Sequence, residues 1–214
     1  MNTQLINKTK DHVLALLDEK TPENVVYHNS DHTLEVAEAV ETIGRGMNVS
    51  DEELEMLIIS ALFHDFGYLE KADGHEIISA KYAREFLSNE NYPKERIKII
   101  EGCILATKVP QKPKTKLEEI MCDADLSHLG KISFDKRNNM FRDEFEFHFG
   151  RALTEKEWLE KSIEFLHRHR FFTEYALNNF DPIKKNNLQK LQNELDSLEE
   201  ENTSINNSNS SHKN

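Results

Sequence analysis

His64-Asp65 closes the apolar run Leu57-Ile58-Ile59-Ser60-Ala61-Leu62-Phe63, setting an imidazole beside a carboxylate where the pattern calls for helix core. Burying such a pair without a partner costs several kcal/mol. A bound cation meets that need, and candidate ligands lie on both sides. His28 and His32 stand upstream in Tyr27-His28-Asn29-Ser30-Asp31-His32-Thr33, and Asp123 and Asp125 downstream in Cys122-Asp123-Ala124-Asp125-Leu126. Considered as one set, His32, His64, Asp65 and Asp125 are separated by gaps of 32 and 60 residues. No local finger spans such gaps, so an ion would be clasped between three helices. Two imidazoles and two carboxylates suit one divalent ion, Mn, Fe, Zn, Co or Mg, better than Cu(I). Four protein ligands leave room for a water and a substrate oxygen, and an ion there acidifies the water and polarises the bond under attack. Hydrolysis of a phosphate ester or anhydride is the chemistry that follows.

Helical periodicity dominates the elements that must hold these groups, and no alternating strand pattern appears. Leu5, Val13, Leu14, Leu16 and Leu17 predict a first helix ending before Pro22. Ser30 or Asp31 caps a second, which Gly44 and Gly46 end. Ser50-Asp51-Glu52-Glu53 is a capping box launching the helix that carries His64-Asp65. Further helices are predicted from His75 to Leu87, Lys94 to Ala106 and Leu117 to Leu129. Phe134 to Phe149 is rich in aromatics and arginine, and Thr154 with Glu157 forms another capping box before Trp158. Leu188, Leu191, Leu195 and Leu198 repeat at steps of three and four, a narrow stripe that either packs on the domain or pairs two chains in a homodimer. Residues 1–180 read as one helical domain, 181–202 as a C-terminal helix and 203–214, dominated by Asn and Ser, as a disordered tail.

These residues resemble the HD superfamily of metal-dependent phosphohydrolases. Its signature, H…HD…D, is matched by His32, His64-Asp65 and Asp125, and its Tyr-His-Asn-x-x-His phrase by Tyr27 to His32. The resemblance covers about residues 25–130 and implies an all-α helical bundle. In the cyclic-nucleotide phosphodiesterase branch, the earlier histidine of that phrase protonates the leaving oxygen. Carried over, His28 is general acid, His32 a metal ligand, and Asp65 or Asp125 orients the attacking water. Asp125 is taken as the last ligand, with Asp123, about 200° around the helix, as a supporting or capping carboxylate. A two-metal branch uses extra histidines, and His75 in Gly74-His75-Glu76 matches the first of those positions. Where a second would stand the chain has Cys103 to Lys108, which favours one ion, with His75 facing substrate. The implied substrate is a small phosphorylated molecule, a nucleotide. A non-catalytic nucleotide-sensing module would carry the same motif.

The loop from Lys108 to Lys116 has four lysines, two prolines and no acid, and lies just before the last ligand. Lys108, Lys112 and Lys114 are therefore expected to hold phosphate, as is Arg142, unless it pairs with Glu144 or Glu146. His167 and His169, two apart, point in different directions on a helix and are expected to pack or face solvent. A net charge of −12 argues against duplex nucleic acid as a partner, since a phosphate backbone meets repulsion on most faces. No apolar run reaches membrane-spanning length. With Cys103 and Cys122 in helical, buried contexts, the expectation is a reduced, cytoplasmic protein without a disulfide.

Overall fold

In the computed structural model, residues 1–210 are described, with side chains to 202. They form ten α-helices and no strand: α1 (Thr3–Lys20), α2 (Ser30–Gly46), α3 (Asp51–Phe63), α4 (His75–Asn89), α5 (Lys94–Ala106), α6 (Lys116–Asp125), α7 (Phe134–Phe149), α8 (Glu155–Arg168), α9 (Glu174–Asn179) and α10 (Asp181–Ser210). Short 3-10 turns cover Phe66–Leu69 and Ser127–Gly130. No described helix is long and apolar enough to cross a membrane.

α3 is the axis of the larger layer. Every residue from Leu54 to Phe63 is buried, because α1, α2, α5 and α6 pack around it. Its two polar interior residues are served locally: Ser60 donates to the Met56 carbonyl at 2.7 Å, and Glu55 accepts from the Tyr92 hydroxyl at 2.7 Å. The capping boxes at Ser50 and Thr154 both form.

The second helix is capped by Asn29 rather than by Ser30 or Asp31. The Asn29 amide oxygen accepts from the His32 backbone N–H at 3.1 Å, tying a metal-ligand candidate to the helix start. α4 runs two residues past Leu87. The helix expected from Leu117 to Leu129 breaks at Asp125, and the chain continues as the 3-10 turn. That bend brings Gly130 against the Phe180 backbone so closely that a Cβ there would lie 2.5 Å from the Phe180 carbonyl oxygen.

A smaller layer gathers Leu129, Phe134, Leu159, Leu166, Phe171, Ala176 and Leu191 into a second core. α10 lies along α8, and its stripe of Leu188, Leu191, Leu195 and Leu198 is spent on that packing within the chain. A homodimer through this helix would have to use another face of it. The backbone stays helical beyond residue 202 to Ser210, while residues 211–214 of the expected tail lie outside the described residues. Cys103 and Cys122 are both free and buried.

The two layers are strapped together by Asp123. Its carboxylate oxygens accept from the backbone N–H groups of Phe172, at 2.9 Å, and Thr173, at 2.7 Å, just where α9 begins. Asp123→Ala strands two buried donors and should lower unfolding free energy by about 2–3 kcal/mol, measured by urea denaturation. A change within experimental error would show that the strap carries no load.

Candidate metal centre and its cavity

Each ligand candidate is delivered by a helix end. His32 sits in the first turn of α2, His64 is the C-terminal cap residue of α3, Asp65 follows it, and Asp125 is the last residue of α6. His64 Nε2 lies 3.0 Å from Asp65 Oδ2 and 3.6 Å from Asp125 Oδ1. His32 Nε2 lies 3.3 Å and 3.6 Å from the same two oxygens. The two imidazole Nε2 atoms face each other at 3.4 Å. Donor atoms of His32, His64 and Asp125 all fall within 4.8 Å of one another. Sequence segments far apart in the chain thus converge on one point.

Three details fit that point to a cation. His64 Nδ1 lies 2.7 Å from the Ala61 carbonyl, so this nitrogen carries a proton and Nε2 is the ring atom turned to the cluster, open to an ion once its own proton leaves. Asp65 Oδ2 is buried and within ion-pair reach of both histidines, yet accepts a hydrogen bond from neither. The donor set, two nitrogens and two carboxylates, matches a borderline-to-hard divalent ion.

Electrostatics agree. Burial opposes charge on every member, but the pairing outweighs it. The Asp125 and Asp65 carboxylates beside it raise the His32 pKa, and the Asp65 charge raises that of His64 well above the usual imidazole range. Against the same burial, the His64 charge and the neighbouring imidazoles of His32 and His75 hold Asp65 well below the carboxylate range; Asp125 is lowered by His32 and His64.

His75 joins the cluster from the other side. Its Nδ1 lies 2.8 Å from the Ala72 carbonyl, and its Nε2 is 3.2 Å from Asp65 Oδ1, the oxygen turned away from His32 and His64. Gly67 makes this possible, since a Cβ there would collide with the His75 carbonyl. Glu76 stands beside it, buried, with Oε2 unpartnered. His28 Nδ1 bonds the Glu144 carboxylate, whose other oxygen accepts from the backbone N–H groups of Tyr27, at 2.9 Å, and His28, at 3.1 Å. Although burial alone would raise the Glu144 pKa, those bonds bring it below the usual range. The His28 ring also stacks on Tyr68 at 3.8 Å.

A cavity of about 780 Å³ opens over the centre, lined among others by His28, Asp65, His75 and Asp125. Lys108 lines it; Lys112 and Lys114 do not. Arg142 is turned away from it, held by Glu146 at 2.9 Å, by Glu155 and by the Leu153 carbonyl. That arginine serves α7–α8 packing, because three acceptors already satisfy it. The cations that reach the cavity besides Lys108 are Lys161 and Arg168 of α8.

Sequence reasoning missed Glu144 as the partner of His28. It stands 116 residues away on α7, and no local pattern points to it. Tyr68 was within reach of the reading, three residues past Asp65. Gln111 was hidden in the lysine loop; its amide donates to Asp125 Oδ2 at 3.4 Å and to the Cys122 carbonyl at 3.2 Å. His128 is buried against Tyr27, its Nδ1 3.2 Å from the phenol oxygen, and burial pushes its pKa down to about 3. His169 packs on Phe171, its pKa lowered by burial to about 4, while His167 meets Gln192 on the surface.

Residues 29–129 match the family model of the HD domain. A predicted HD superfamily hydrolase from an uncultured Thermotogales bacterium, known from its crystal structure, is similar with a TM-score of 0.62 and 18% identity, over 92% of this chain and 99% of that one. At that identity the likeness is one of fold. A search of curated proteins finds no match.

Since the carboxylates hold protons on His32 and His64, an ion must displace them to bind. Loading metal-free protein with Mn²⁺ near neutral pH should release about one proton or more per ion, with affinity rising as pH rises. Calorimetry in two buffers of different ionisation enthalpy measures this; uptake without proton release would contradict the site.

Proposed function

We propose that the chain, whose residues 29–129 match the HD domain, is a metal-dependent phosphohydrolase of the HD superfamily and cleaves a phosphoester or phosphoanhydride bond of a small phosphorylated substrate, a nucleotide. The observation that carries this reading is the convergence of His32, His64, Asp65 and Asp125, the two aspartates lining one cavity together with His28. Those four residues would hold one divalent ion, which when bound supplies Lewis-acid polarisation of the phosphoryl group and an acidified water.

The remaining work falls to side chains. Asp65 Oδ1 and His75 Nε2, 3.2 Å apart, are placed to orient the attacking water and take its proton. With Nδ1 taken by Glu144, His28 has Nε2 left to face the cavity and protonate the departing oxygen. Glu144 holds the ring at Nδ1 and, with Tyr68 stacked on it, fixes its plane. Lys108 and Lys161 are the lysines near enough to meet non-reacting phosphate oxygens. Buried walls around the centre strengthen each of these charge interactions.

A screen of nucleotides, cyclic nucleotides and aryl phosphates with Mn²⁺, Mg²⁺, Zn²⁺, Co²⁺ and Fe²⁺ tests the reading. Turnover should be found, and Asp65→Ala should abolish it together with metal content. His28→Ala should keep its metal and lose about 10²- to 10⁴-fold in kcat. Tight nucleotide binding with no turnover under any ion would mark the chain as a sensing module instead.

A further inference from the structure

The cavity is larger than a phosphate needs, and its far arm is built by α7 and α8, outside the matched 29–129 segment. We propose that this arm is a recognition subsite for a planar heteroaromatic group carried by the substrate. The proposal rests on the phosphohydrolase reading for the identity of the other end of the ligand.

Phe141, Phe145 and Trp158 form a continuous aromatic wall, with centroids 6.1–6.3 Å apart. Phe141 joins that wall to the reaction centre, at 6.1 Å from the His28 ring and 5.3 Å from Tyr27. It keeps 39% of its surface open, an unspent stacking face inside a concavity.

Polar groups are interleaved with the rings. Asn138 and Ser162 hydrogen-bond each other at 3.2 Å, and both line the arm. The Trp158 indole N–H is buried with no partner, in a residue only 4% exposed that also lines the arm. Unpartnered buried donors are rare and call for a bound acceptor. Lys161 lies 5.6 Å from the Phe145 ring centroid, over its face. An alkyl tail would use the rings and leave the Trp158 indole N–H unserved. A flat ring bearing edge acceptors uses both.

Trp158 is the chain's only tryptophan, so its fluorescence reports on the arm directly. The probes are adenosine, ribose and octanol, none of which carries phosphate or asks for hydrolysis. Added to the full chain, adenosine should quench Trp158 and bind at least about tenfold more tightly than ribose by calorimetry, the scale of one stacked base. Phe145→Leu keeps apolar bulk but loses the flat face, and should weaken adenosine about fivefold; Phe145→Ala should weaken it further, the leucine variant deciding if the alanine variant does not fold. Adenosine binding no tighter than ribose, octanol binding above adenosine, or both variants binding adenosine as the parent does would each overturn the subsite. Because these probes bypass the reaction, a chain that hydrolyses phosphates without preferring adenosine loses only this inference, and one that binds adenosine but hydrolyses nothing loses only the functional reading.

Discussion

In the interior of the protein two imidazoles each lie within 3.0–3.6 Å of the same two carboxylates, and the rest of the architecture follows from that. Such a cluster is costly to desolvate and is relieved by a cation shared among its members. It can be assembled only by helix ends that are themselves immobile. The total burial of α3 from Leu54 to Phe63 is what fixes the backbone behind His64-Asp65. Asn29 does the same for His32 by capping the helix that carries it, and Gln111 braces Asp125.

The second layer contributes chemistry as well as stability. α7 supplies Glu144, whose carboxylate holds the imidazole of His28 at Nδ1. α7 also supplies Phe141 and Phe145 to the far arm, and α8 supplies Trp158, Lys161 and Arg168. Asp123, two residues before the last ligand on α6, receives the backbone of Phe172 and Thr173. Neighbouring carboxylates on one helix thus do different work, one turned to the metal centre and one to the joint between layers. Close packing at Gly67 and Gly130 lets both joints form without a side chain intervening.

Much of this was legible in the sequence because its signals are local or carried by spacing. The capping boxes at Ser50 and Thr154 and the helix bounds before Pro22 and at Lys94–Ala106 are short-range patterns that the tertiary structure leaves intact. His32, His64, Asp65 and Asp125 stood out because charged groups in apolar runs need a reason. What escaped was set by contacts across the fold. Glu144 looks in sequence like a partner for Arg142, yet Arg142 is claimed by Glu146, Glu155 and Leu153, which frees Glu144 for His28. The break after Asp125 and the direction of the lysine loop depend on where Phe180 and the cavity mouth lie, and no periodicity encodes that.

Crystals of the full chain grown or soaked with Mn²⁺ and measured at the manganese absorption edge would test the central claim most directly. The account predicts an anomalous peak among His32 Nε2, His64 Nε2, Asp65 Oδ2 and Asp125 Oδ1. Those four groups in contact with each other and no peak between them, or manganese bound only elsewhere, would contradict it.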